Sequence, residues 1–171
     1  MILIISLCKE KISEFEFVRP LEKLVGKCAV RNVRDVKEND IRDAKKIILS
    51  GTALADFEYL NHDFSWLKKT EKPVLGICAG MQVIAQAFDI PLEKKTTIGV
   101  KSVEVIKENK LAEGSFNAYF LHTLTGSGDF DVLATSEGVP CMIKHPKKEI
   151  YGCIFHPEVM NEQIIARFLE R

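Results

Sequence analysis

The chain predicts an α/β fold, with a mostly parallel sheet, helices packed against it and antiparallel strands added in the second half. Three observations carry this. Short apolar runs alternate with amphipathic segments from residue 2 to residue 88, the pattern of β-α-β units. One of those runs, Pro73-Val74-Leu75-Gly76-Ile77, passes through Cys78-Ala79-Gly80 directly into a helical pattern. After Pro91 the spacing changes to alternation, with Ile98, Val100, Val103 and Val105 apolar, as in a strand with one face covered.

Element by element, residues 2–7 read as a buried central strand. Pro20 opens a short helix carrying Leu21, Leu24 and Val25, and Gly26 stops it. Cys28 to Val33 is the second strand, Asp40 to Ala44 a brief helix, and Lys46 to Ser50 the third strand, ended by a turn at Gly51-Thr52. Phe57 to Lys69 reads as loop then helix, with Trp66 and Leu67 facing inward. Beyond the fourth strand, Met81, Ile84, Ala85 and Phe88 share one helical face. Strand-like stretches follow near 98–106, 116–121, 130–135 and 139–144, and a polar hairpin turn at 144–149 leads into strand 150–155. Asn161 is placed to cap a final helix bearing Ile164, Ile165, Phe168 and Leu169.

The bulk numbers bound the function. A length of 171 residues suits one domain, here residues 1–171, and 46% hydrophobic residues suffice for a core. Lys plus Arg equals Asp plus Glu at 24 each, so no basic footprint points to nucleic acid or a membrane surface. No apolar run is long enough for a membrane span, and the apolar start lacks a basic leader and a cleavage site. The five cysteines form no CxxC pair, which favours a reduced, cytoplasmic setting. Cys8, Cys28, Cys141 and Cys153 lie in apolar surroundings and read as small buried hydrophobes.

Cys78 differs. Gly-x-Cys-x-Gly between a strand and a helix is a nucleophile elbow in its cysteine form. Glycines at 76 and 80 permit the close approach of neighbouring elements, and the thiol sits at a helix N-terminus, where the dipole favours thiolate. The amide of Ala79 is directed at an oxyanion. A thiolate attacking an amide needs an acid for the leaving nitrogen. Of four histidines, His62 lies in a polar loop and His145 in a lysine-rich turn, both expected in solvent. His122 ends a strand and could line a pocket. His156 follows an apolar strand and precedes Pro157-Glu158, so a stiff turn presents imidazole and carboxylate together. A zinc site from Cys153, His156 and His122 lacks the usual ligand spacing.

The segments Pro73-Val74-Leu75-Gly76-Ile77-Cys78-Ala79-Gly80-Met81-Gln82 and Tyr151-Gly152-Cys153-Ile154-Phe155-His156-Pro157-Glu158-Val159 resemble the two signatures of class I glutamine amidotransferases. The final third looks most like the separate glutaminase subunit of archaeal GMP synthases. The resemblance implies a flavodoxin-like open sheet with helices on both faces and hydrolysis of L-glutamine to glutamate and ammonia. It implies that Cys78 attacks the side-chain amide, His156 moves the protons and Glu158 orients His156. Amides of Ala79 and at Gly51-Thr52 would hold the oxyanion, Gln82 the substrate, and the backbone at His122-Thr123 the amino-acid end of glutamine. No metal or organic cofactor is implied. The implied partner is an ATP-dependent synthetase that receives the ammonia, with a poorly organised site expected until it docks.

Three positions depart from the family pattern. Gly51-Thr52-Ala53 stands where Gly-Gly-Pro is usual, Ala79 replaces a larger residue, and the segment after His122 lacks His-x-Asp-x-Val. Loss of the second glycine is expected to hinder the peptide flip that aims an amide at the oxyanion, and one lost donor costs about 10²–10³ in rate. The competing expectations are a stand-alone γ-glutamyl amide hydrolase and a non-catalytic binding subunit with a vestigial triad.

Overall fold

The computed structural model describes residues 1–170. Its parallel strands are β1 (Ile2–Ser6), β2 (Cys28–Asn32), β3 (Lys46–Leu49), β4 (Val74–Ile77) and β9 (Ile150–Cys153). Between the last two in sequence lie β5 (Glu93–Val105), β6 (Ser115–Thr125), β7 (Asp131–Ser136) and β8 (Val139–Lys144). The helices are α1 (Glu14–Phe17), α2 (Arg19–Val25), α3 (Glu38–Asp43), α4 (Trp66–Lys69), α5 (Ala79–Ala87) and α6 (Glu162–Leu169). The strands form one sheet in the order β2-β1-β3-β4-β9-β8-β7-β5-β6.

The first five strands of that order pair in parallel, in the flavodoxin-like sequence of a doubly wound sheet. Right-handed crossovers dictate where the helices go. The chain moves outward from β1 to β2 through α2, then in the opposite direction from β3 through β4 to β9. Helices on the two legs therefore lie on opposite faces, α2 beside α6 and α4 beside α5. Covered on both sides, the central strands are apolar throughout: Leu3, Ile4, Ile5, Ile47, Ile48, Leu49, Val74, Leu75 and Ile77 are fully buried.

The remaining strands pair antiparallel. The far end of the sheet then turns back on itself. Phe120 in β6 bridges Phe155, just past β9, and the His156 N–H donates to the Tyr119 carbonyl at 2.8 Å. The C-terminal ends of β4 and β9 thus meet the middle of β6, and the candidate site lies where they do.

Several expectations need correction. β5 begins at Glu93 rather than near residue 98, because Glu93 and Lys94 pair with Thr125 and Leu124. Pairing with a long partner overrides the poor strand propensity of Glu93-Lys94-Lys95. β9 ends at Cys153 rather than 155, since Phe155 and His156 leave it to meet β6. The segment 57–69 forms a 3-10 turn at Glu58–Asn61 and only one turn of helix, α4, with Leu67 buried and Trp66 half-buried. Helix α5 is buried all round from Ala79 to Ala85 rather than on one stripe. Asn161 occupies the N-cap position of α6, but its side chain does not cap. Its Nδ2 donates to the Asn117 carbonyl at 2.9 Å instead. His62 and His145 are half-buried; the His145 ring packs against Phe88 and Phe130 while Nδ1 accepts from the amides of Lys147 and Lys148. Cys28 is half-buried, whereas Cys8, Cys141 and Cys153 are buried, and all five cysteines are free. Among the described residues, no helix is long and apolar enough to cross a membrane.

Candidate active site

Cys78 caps α5 with φ 51° and ψ −103°, a region that costs a non-glycine residue about 1–3 kcal/mol. Packing over-determines it. A Cβ on Gly76 would lie 2.5 Å from the Gly80 carbonyl, and one on Gly80 would lie 2.5 Å from the Leu49 oxygen. Strand and helix meet backbone to backbone there, which only glycine allows. The Cys78 N–H donates to the Cys153 carbonyl at 2.7 Å, tying the elbow to β9. Its sulfur lies 3.4 Å from the Leu121 oxygen in β6, and the side chain is 4% exposed. The free amides of the first turn of α5 start at Ala79, directly after the sulfur-bearing residue.

His156 is presented by the segment that leaves β9 and bonds to the middle of β6. Its Nδ1 lies 2.8 Å from Glu158 Oε1, with both side chains about 1% exposed. With the carboxylate accepting, Nδ1 carries the proton and Nε2 is the working nitrogen. The ring packs against Phe17 and Tyr119, at 5.6 and 6.1 Å between centroids. A Cβ on Gly51 would lie 2.7 Å from His156 Cε1, so Gly51 leaves the space that the imidazole fills. Burial disfavours the imidazolium, but the neighbouring Cys78 sulfur and Glu158 carboxylate outweigh it and raise the His156 pKa to about 10, while Nε2 has no hydrogen-bond partner among the described residues. The shift favours the imidazolium. Glu158 Oε2 has no partner among the described residues, so this buried carboxylate depends on the imidazolium for compensation.

This gives stability a pH dependence with a definite sign. His156 titrates near 6.5 when unfolded and about 10 when folded. Its contribution is fully present below 6.5 and is lost as pH rises toward 10. Urea titrations from pH 6 to 10 should show the midpoint falling, and His156→Gln should flatten that slope.

The other expected residues divide. Ala79 and Thr52 are buried beside the elbow and the β3 turn, with 2% and 4% exposure. Gln82, one turn into α5, has both ends of its amide occupied: Oε1 accepts from the Tyr59 hydroxyl, and Nε2 donates to the Leu124 carbonyl at 2.8 Å. It fastens the Glu58–Asn61 turn to β6. His122 and Thr123 point to opposite faces of β6. Thr123, with Leu54, Ala55, Phe57, Leu60, Lys94 and Leu124, lines an open cleft of about 510 Å³. His122 faces a cavity of about 20 Å³ between Phe120, Cys141 and Ile154, large enough for about one water. Burial lowers its pKa to about 4, so it is neutral, and its Nδ1 has no partner among the described residues.

Sequence reasoning missed Tyr59. It is 2% exposed, and its hydroxyl pKa is pushed up by burial and then by the Cys78 and Asp56 charges. It lies in a polar stretch without periodicity, so no local pattern marks it. Asp56 was also missed: its Oδ2 accepts from the Thr52 hydroxyl at 2.6 Å and from the Lys9 amide at 2.7 Å.

Comparisons with known proteins identify the family. Residues 16–171 match the family model "Glutamine amidotransferase class-I". The chain is 33% identical over 146 residues to a glutamine-hydrolyzing GMP synthase subunit of Methanococcus aeolicus, covering 80% of this chain and 75% of that one. It is 31% identical over 146 residues to the glutamine-hydrolyzing GMP synthase of Ehrlichia canis, covering 74% of this chain but spanning only 28% of that longer protein. A glutamine amidotransferase structure from Thermotoga maritima superposes with TM-score 0.71 at 19% identity, over 96% of this chain and 81% of that one. A strained cysteine elbow, a histidine–glutamate pair and a family match over nearly the whole chain place this protein among the class I glutamine amidotransferases.

Proposed function

We propose that residues 1–171 act as one glutaminase domain, hydrolysing L-glutamine and passing ammonia to a separate ATP-dependent synthetase of the GMP synthase type in the cytoplasm. The observation that carries this is the buried His156–Glu158 pair, 2.8 Å apart, beside a cysteine held at φ 51° on a helix N-terminus. In this reading the Cys78 sulfur adds to the side-chain carbonyl carbon of glutamine. The amides of Ala79 and Thr52 stabilise the oxyanion. Collapse breaks the carbon–nitrogen bond as His156 Nε2 delivers its proton to the leaving ammonia, giving a γ-glutamyl thioester. His156, now neutral, takes a proton from water, which attacks the thioester and releases glutamate and the thiolate. The cleft beside Thr123 and Lys94 receives the amino-acid end of the substrate. Gln82 positions that wall of the site through Leu124 rather than touching glutamine.

Steady-state glutaminase assays, alone and with an ATP-dependent GMP synthetase subunit plus its nucleotide substrates, test the assignment. The reading predicts glutamate release that rises when the synthetase turns over. High release unchanged by any synthetase favours a stand-alone hydrolase. No release under either condition contradicts the enzyme reading.

A further inference from the structure

The turn after β3 departs from the family pattern at Thr52, yet side chains anchor it on both sides of the Gly51–Thr52 peptide. The Gly51 carbonyl accepts from the Ser50 hydroxyl at 2.8 Å and faces the Cys8 thiol at 3.6 Å. Ser50 is held in turn by the Leu7 amide at 3.1 Å. One residue on, the Thr52 hydroxyl donates to Asp56, whose carboxylate also takes the Lys9 amide and, at 3.2 Å, the Glu58 amide. Cys8, Ser50 and Thr52 are at most 4% exposed. The Gly51 carbonyl partners and the Lys9 amide lie on the side of the loop that follows β1.

Sheet order gives this a direction. β1 flanks β3 on one side and β4, which ends at Cys78, flanks it on the other. No peptide bond is cis, and across a planar trans peptide the C=O and N–H point oppositely. A Gly51 carbonyl fixed toward Cys8 therefore sends the Thr52 N–H toward the Cys78 side, and no carbonyl among the described residues accepts from it.

We infer that Cys8, Ser50 and Asp56 are positioning residues that lock the Gly51–Thr52 peptide with its amide aimed at the oxyanion, replacing a mobile glycine by a permanently set donor. This rests on the glutaminase reading above. Thr52 is then no defect, because its side chain is one of the anchors.

The test uses the full chain with Cys8→Ala, Cys8→Ser, Thr52→Val and the double variant Cys8→Ala/Thr52→Val. In the double variant, kcat for glutamine should fall at least about tenfold with KM little changed, since the lost stabilisation acts in the transition state. Alkylation of Cys78 by iodoacetamide, which forms no oxyanion, should keep its wild-type rate. Cys8→Ser should retain turnover by keeping a donor, which separates positioning from packing. An unchanged kcat in the double variant, or a loss matched by slower alkylation, overturns the clamp. Amide relaxation at Thr52 reports independently of turnover. A rigid wild-type amide that becomes mobile in the double variant supports the clamp even if glutamine is not hydrolysed, in which case the glutaminase reading is what fails. A wild-type amide already in exchange contradicts the clamp.

Discussion

Cys78→Ala should lower glutamine hydrolysis by on the order of 10⁴-fold or more while leaving a folded protein, because the covalent route is lost and neither His156 nor Glu158 can replace it. The pH behaviour should change with it. His156 is raised to about 10 by Cys78 as well as Glu158, so removing the sulfur lowers that pKa and narrows the window over which stability declines with pH. Cys78→Gly should be equally inactive but more stable than the alanine variant by about 1 kcal/mol, since φ 51° suits glycine and strains alanine. Initial-rate assays with thermal melts of both variants separate the nucleophile from the strain that displays it.

Gly80→Ala should have a large effect on folding, a destabilisation of about 3 kcal/mol or more. The added methyl would lie 2.5 Å from the Leu49 oxygen and 2.8 Å from its Cβ, and backbone cannot rotate aside as a side chain can. β3 and α5 would have to separate, and both are buried. At roughly 2–4 °C per kcal/mol for a chain of this size, Tm should drop by about 10 °C. Activity should suffer too, because the movement displaces the elbow. Gly26→Ala offers a contrast: nothing lies within 4 Å of its added Cβ, and only its φ of 75° opposes the change, so about 1 kcal/mol is expected. A urea series on both variants distinguishes close approach from backbone conformation.

What could be read from the sequence follows from how local each cause is. The elbow is local: glycine, cysteine and glycine at fixed spacing between a strand and a helix demand one geometry, and Gly76, Cys78 and Gly80 adopt it. His156 and Glu158 are adjacent through Pro157, so their pairing was legible as well. Residues whose role depends on distant chain were not. Tyr59 gains its place only by meeting Gln82, which itself reaches Leu124. The resemblance assigns Gln82 to the substrate, while the partners of its amide come from a 3-10 turn and the far β-ribbon, distant in sequence. Glu93 to Thr97 reads as loop in isolation and becomes strand because β6 runs alongside. Asn161 has the composition of a cap, yet the nearby Asn117 carbonyl takes its side chain.

The central claim is that Cys78 is a nucleophile set to attack the side-chain carbonyl carbon of glutamine. The most direct measurement is treatment with a glutamine-mimicking diazoketone, followed by mass spectrometric mapping of the adduct with and without excess L-glutamine. The account predicts one adduct, on Cys78, slowed by glutamine and absent in Cys78→Ala. No adduct at Cys78, alone or with the synthetase, or labelling that glutamine does not slow, would contradict it.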